Sequence, residues 1–172
     1  MSSTSGDDLA MVARTFTDDR THPALHLMPG GPAAYFALGP PEKLVADAHA
    51  LADVMWPPIE RVVAHHLAGA SAIVLDWWLL RPQVVARLGP PGVRSVWLHL
   101  DPAELDRRER LNSDFFAGST DPERMHGNFM RRSLEWNSLV EAEAESVGLP
   151  VLHQDGTRTV DELVDAIVDL IG

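Results

Sequence analysis

Three short runs of apolar residues break the chain into units. In 71–80 (SAIVLDWWLL), Ile73, Val74 and Leu75 run together without alternation and stop at Asp76, ahead of Trp77 and Trp78. Continuous apolarity is how a strand buried on both faces reads, which predicts a parallel sheet covered by helices. The stretches 93–100 (VRSVWLHL) and 151–153 (VLH) read as second and third strands. Between them the apolar period becomes helical. A helix is predicted from about Glu42, with Leu44, Ala48, Leu51 and Met55 on one face, broken or kinked at Pro57-Pro58 and resuming over 59–67. Brief helices are predicted over 32–38 and 82–88, the latter stopped by Gly89-Pro90-Pro91. Asp101-Pro102 with Glu104 is a helix start, and 112–119 reads as a loop. Thr120 to Glu123 has capping-box spacing and opens the longest helix, with Met125, Phe129, Trp136, Leu139 (or Val140) and Val147 towards the core. Thr159 to Glu162 is a second such box, and Leu163, Ile167 and Leu170 are the buried stripe of the last helix. At the other end, 1–5 is polar and predicted to fray. Gly6-Asp7-Asp8 leads into a short helix with Leu9, Met11 (or Val12) and Phe16 on one side, followed by a loop over 17–31.

The alternation of strands and helices without repeats or a linker predicts one α/β domain over 1–172, a small parallel sheet of at least three strands flanked by helices. No apolar run is long enough to span a bilayer and the start does not read as a signal peptide, which predicts a cytoplasmic chain with no membrane partner. A formal charge of −11 speaks against nucleic acid and anionic membranes as partners, since both require clustered basic residues. The absence of cysteine excludes disulfides, thiolate metal sites and a cysteine nucleophile. No His-Glu-x-x-His spacing points to zinc, and no serine has a Gly-x-Ser-x-Gly context.

The residues leave several roles open. Asp76, at the carboxyl end of a strand, is placed either to meet a ligand or to cap local backbone donors. Trp77 and Trp78 read as core or lid packing, or as the wall of a pocket for an aromatic or otherwise hydrophobic ligand. His22 and His26 bracket a proline-containing loop and could touch a substrate or relay a proton. His65 and His66 suit the carboxyl end of a helix. Arg107, Arg108 and Arg110 read as a solvated helix face among Glu104, Asp106 and Glu109, and Asp7 and Asp8 as helix-start acids.

From His22 to the end, the order of features resembles P-loop small-molecule kinases of the 2-phosphoglycerate-kinase-like and chloramphenicol-phosphotransferase-like kind. The features are the strand ending in an acid (Ile73 to Asp76), the arginines from Arg107, Arg108 and Arg110 to Arg131 and Arg132, the segment Ser133-Leu134-Glu135-Trp136-Asn137, and Gly148-Leu149-Pro150-Val151 ahead of a final helix. The resemblance implies a phosphotransferase using Mg²⁺ and ATP, with 101–147 as a helical lid. It implies Asp76 as the Mg²⁺ ligand, Asp8 as general base, and Arg131 and Arg132 as catalytic phosphate clamps. Substrate contacts would come from Asp7, His22, His26, Trp77, Trp78, Arg107, Arg108 and Arg110. The chain departs from that pattern at Asp76-Trp77-Trp78, where the resemblance implies glutamate and small residues, and more severely at the phosphate site. Its only lysine, Lys43, stands between Glu42 and Leu44, so there is no glycine-rich Gly-Lys-Ser/Thr loop, and no strand is predicted before Asp7. The expected fold is therefore a truncated kinase-like one, whose exposed sheet edge would be covered by a second copy of the chain. Two other readings stand beside it. One is a small-molecule-binding protein or nucleotide-independent enzyme, with no cofactor, using the tryptophan-lined pocket. The other is an interaction subunit completed by a partner chain.

Overall fold

A computed structural model describes residues 2–89 and 92–172; the stop expected at Pro90-Pro91 falls outside them. The elements are β1 (Ser2–Ser5), α1 (Gly6–Arg14), α2 (Gly31–Leu38), α3 (Pro41–Ala68), β2 (Ile73–Asp76), α4 (Pro82–Val85), β3 (Trp97–Leu100), α5 (Pro102–Leu111), α6 (Ser113–Ala117), α7 (Pro122–Ser146), β4 (Val151–Gln154) and α8 (Val160–Ile171), with single 3₁₀ turns at 23–25 and 86–88. The class is mixed α/β and largely helical, and no helix among the described residues is long and apolar enough to cross a membrane.

The sheet differs from the one expected. Two separate parallel pairs form, β1 with β2 and β3 with β4, rather than one sheet of three strands. Ser2–Ser5, expected to fray, is the partner of Ile73–Asp76 in register. β2 is covered on one face only, with Ile73 and Leu75 half-buried and Val74 exposed. A run of three apolar residues is too short to separate one-sided from two-sided burial. Only Trp97–Leu100 of the second run joins a ladder.

Helix α3 runs unbroken through Pro57 and Pro58. Both prolines face solvent, while Met55 and Ile59 on the opposite face are each 1% exposed and hold the helix against the core. Caps follow the chemistry expected at Asp101 and at the Thr159/Glu162 box, but α7 is capped by Asp121, which accepts from the Arg124 amide, rather than by Thr120. Residues 113–117, expected as loop, form the short α6. In α1 the buried side is Gly6 and Ala10, whereas Met11 and Val12 are exposed, as is Phe16 just beyond the helix. No residue of α8 is fully buried, and Leu170 joins Val160, Val164 and Val168 among its exposed apolar residues.

Helix α7 is the common wall of the core. Trp136 joins it to Leu51, Met55 and Ile59 of α3 and to Trp77 and Leu79; Met125 packs with Phe36, Leu44 and Phe116; Ala144 packs with Val85 and Trp97. Gly6 lies flat against the Trp77 ring, where an added Cβ would overlap the indole. A Gly6→Val chain must move that indole or α1, a cost of about 1–3 kcal/mol for overpacking, so its thermal midpoint is expected to fall by roughly 2–12 °C. A red shift of tryptophan emission would accompany the fall. An unchanged midpoint would show that the indole is not fixed by this contact.

Candidate functional site

A mainly apolar cavity of about 450 Å³ opens between α7, α3, α2, α5 and β3. Spacing along the helices explains which side chains reach it. Phe129, Arg132, Ser133, Trp136, Asn137 and Val140 fall three and four apart on α7 and share one face. Leu44, Asp47, Ala48 and Leu51 do the same on α3, and Leu105 and Glu109 on α5. Trp78 and Met28 close the cavity from loops, and Leu98 and Leu100 of β3 line it from the sheet. Asn137 is fixed by donating from Nδ2 to the Leu100 carbonyl at 2.9 Å, and Asn128 ties α2 to α7 by donating to the Phe36 carbonyl at 2.7 Å.

Among the described residues, the one cation lining this cavity is Arg132, only 6% exposed. Its guanidinium carbon lies 4.3 Å from the Trp78 ring centre, 4.8 Å from Phe129 and 5.2 Å from Phe36, a three-sided aromatic cage. Its Nε is buried without a hydrogen-bond partner, and no carboxylate among the described residues pairs with the group. Burial holds the Arg132 pKa down at about 10, with the Tyr35 and Glu109 side chains acting in the opposite direction. Glu109 borders the same cavity, and burial raises its carboxyl above the usual range against the opposing pull of His126 and Arg132. At the other wall, Tyr35, the only tyrosine, donates to Asp47 Oδ2 at 2.9 Å. Burial and that carboxylate keep its hydroxyl protonated well beyond the ordinary tyrosine range. Asp47 also pairs with Lys43, so its charge is balanced locally.

Of the residues singled out by sequence, the structure brings Arg132 and Trp78 together and places the rest elsewhere. Arg107 and Arg108 both clasp Glu104, at 2.7 and 2.6 Å. Arg110 pairs with Asp106 at 2.9 Å, and Arg131 is exposed near Glu42 and Glu135. Trp77 is buried and donates from Nε1 to Asp7 at 2.9 Å, so these two serve each other. Asp8 and Asp76 are exposed; Asp76 ends β2 beside Ser5, and among the described residues it belongs to no group of three or more carboxylates and histidines close enough to share a cation. Mg²⁺ takes near-octahedral oxygen, of which Asp76 offers one carboxylate. His22 contacts Thr21 and His26 contacts Thr17, at 3.1 and 3.0 Å, both away from the cavity.

No family model, curated protein or solved structure matches this chain. The functional reading rests on the cavity itself. Sequence reasoning missed Tyr35, Asp47 and Glu109 as part of it, although Leu105 and Glu109 stand one helical turn apart.

The Glu104 cluster is structural and makes a distinct prediction. Hydrogen bonds from Arg107 and Arg108 pull the Glu104 carboxyl from 4.5 to about 2. A folded-state pKa below the unfolded one contributes stability above the unfolded value and loses it as pH falls through the folded value. Urea denaturation between pH 4.5 and pH 2 is therefore expected to show a steeper loss of stability in the natural chain than in Glu104→Gln. Equal slopes would contradict the pairing.

Proposed function

We propose that this chain binds a small amphiphilic anion, with a carboxylate or phosphate head at Arg132 and an aromatic or aliphatic body within the apolar cavity. One observation carries the reading: a buried guanidinium borders a ligand-sized cavity with its Nε donor unspent. Buried charged groups are ordinarily paired, and truly unpaired ones cluster where a ligand completes them. The volume lies within the range of small-molecule pockets, and mostly apolar walls with few polar groups are their usual composition. Arginine suits carboxylate and phosphate alike because its planar fork bonds both in bidentate fashion.

Glu109 adds a dependence on pH. While protonated it leaves Arg132 as the uncompensated charge and can itself donate to the anionic head. Its ionisation places a like charge beside that head. Affinity is expected to fall as pH rises through the Glu109 titration, and Glu109→Gln is expected to abolish this dependence. A profile unchanged by Glu109→Gln would remove the residue from the account.

The test of the reading is the thermal midpoint with excess 2-naphthoate, 2-naphthyl phosphate or the neutral 2-naphthamide. Ligand at ~100 times its dissociation constant adds about 2.7 kcal/mol, or roughly 5–10 °C in a chain of this length. Either anion is expected to give such a shift and the amide much less; the better of the two names the head group. Equal shifts for anion and amide, or none, would overturn the reading. The phosphotransferase reading makes a separate demand, a shift with Mg²⁺-ATP that is lost in Asp76→Ala. Its one support in this geometry is that Arg132 belongs to the arginine set of the kinase-like pattern.

A further inference from the structure

On the far side of α7's contact with β3, three side chains converge outside the Arg132 cavity. The parallel register of β3 and β4 sets His99 opposite His153, with ring centres 4.9 Å apart. Glu141 of α7 reaches both rings, placing Oε2 3.2 Å from His99 Nδ1 and Oε1 3.2 Å from His153 Nε2. Among the described residues this is the one group of three or more histidines and acids whose donor atoms all lie within 4.8 Å of one another.

These atoms are close without bonding one another. His99 Nδ1 is buried and, despite the nearby carboxylate, has no aligned hydrogen-bond partner. An imidazole and a carboxylate at that distance normally turn to share a proton in line. Donors that point towards a common centre behave differently. Two donor atoms each about 2.1 Å from one metal ion, with about 100° between the bonds, stand about 3.2 Å apart. Both nitrogen–oxygen separations have this value, each to a different oxygen of the Glu141 carboxylate, so an ion between the rings would draw on both oxygens.

The surroundings fit a cation with open positions. His99 and His153 border a cavity of about 300 Å³ that also meets Asp101, Asp155 and Arg158, and Arg158 is tied back by donating to the His153 carbonyl at 2.6 Å. That cavity lies beyond the carboxyl ends of two parallel strands, where α/β folds hold their ligands. The same triplet, His-x-Asp, occurs at both strand ends, as His99-Leu100-Asp101 and His153-Gln154-Asp155. Each aspartate is occupied with the local turn: Asp101 accepts from the Ala103 amide and Asp155 from Thr157. The histidines are left for the cluster.

We infer that His99, Glu141 and His153 form a binding site for a divalent first-row transition metal, with Zn²⁺ as the ion that suits the set. Two imidazoles and one carboxylate are borderline ligands for such ions, and without a thiolate the site does not favour soft monovalent copper. Three protein ligands leave at least one coordination position facing the cavity, as in sites that present a metal to a substrate or water rather than bury it. Spacing along the chain gives no sign of this, because the ligands come from three elements and meet only through the β3–β4 register.

The test is calorimetric titration of the full chain, first stripped with chelator, with Zn²⁺ alone, and its visible spectrum with Co²⁺. One Zn²⁺ per chain is expected, with affinity reduced at least tenfold in both His153→Ala and Glu141→Gln and unchanged in His65→Ala/His66→Ala. Co²⁺ is expected to give ligand-field bands that the first two variants lose. His153 is exposed and Glu141→Gln is isosteric, so both variants keep the fold, which circular dichroism checks. Absence of Zn²⁺ binding, equal affinity in the natural chain and the two ligand variants, or loss in the His65/His66 control would each overturn the site.

Discussion

Replacing Arg132 by methionine is expected to abolish the preference for anions while leaving the thermal midpoint unchanged or higher. A structural arginine would behave in the opposite way, since breaking a buried ion pair destabilises a protein by about 3–5 kcal/mol. Arg132 has no such partner to lose. Holding it charged at a depressed pKa of about 10 costs on the order of 3 kcal/mol at neutral pH. Its contacts with Trp78, Phe129 and Phe36 return about 0.5–2 kcal/mol each. The two nearly cancel, and methionine refills the aromatic cage with a flexible apolar side chain. The charge-assisted bonds to the ligand are not replaced, so affinity for 2-naphthoate is expected to drop about 10- to 100-fold. The neutral amide should bind both chains alike. A midpoint lowered by more than ~4 °C, with anion and amide affinities falling together, would assign Arg132 to the fold instead of the ligand.

The largest expected effect on stability lies elsewhere on α7. Glu143 is buried and bonded by Arg81, which donates from Nε at 3.1 Å and from Nη2 to the same carboxylate oxygen. The pair fastens the segment after β2 to α7, close to where Val85 and Ala144 pack. Glu143 raises the Arg81 pKa still further, so the cation persists at every ordinary pH. In Arg81→Met the Glu143 carboxylate stays buried alone, costing about 3–5 kcal/mol, seen as a fall of roughly 6–20 °C in the thermal midpoint. The double variant Arg81→Met/Glu143→Leu is expected to recover most of the loss, because an apolar pair replaces a buried ion pair at little cost. A single variant within ~1 kcal/mol of the natural chain, or a double variant worse than the single, would show that the pair does not hold these segments together.

Local chemistry was legible and register was not. The caps at Asp101 and Thr159 and the core positions Met125 and Trp136 follow from rules acting within a few residues. Pairing of Ser2–Ser5 with Ile73–Asp76 links segments about 70 residues apart, and polar serines carry no hydrophobic pattern to announce it. The prolines in α3 show tertiary burial overriding a local penalty, because one face of the helix is clamped on both sides of them. Within the arginine set, Arg132 was separable from Arg131 by helical spacing alone. Arg132 shares a face with Phe129 and Trp136, whereas Arg131 stands one turn from Glu135. Arg107, Arg108 and Arg110 likewise have acids three or four residues back, at Glu104 and Asp106, and those pairs are what form. An arginine with an aromatic residue one turn away on each side, Phe129 and Trp136, was the informative pattern.

The most direct measurement is a crystal structure with 6-bromo-2-naphthoate, in which anomalous scattering places the bromine and the density places the carboxylate. The account predicts one molecule per chain, with its ring system in the cavity among Trp78, Phe36 and Phe129 and its carboxylate within hydrogen-bonding distance of the Arg132 guanidinium. A carboxylate turned towards solvent, or bromine found only beside surface arginines such as Arg107 or Arg131, would contradict it.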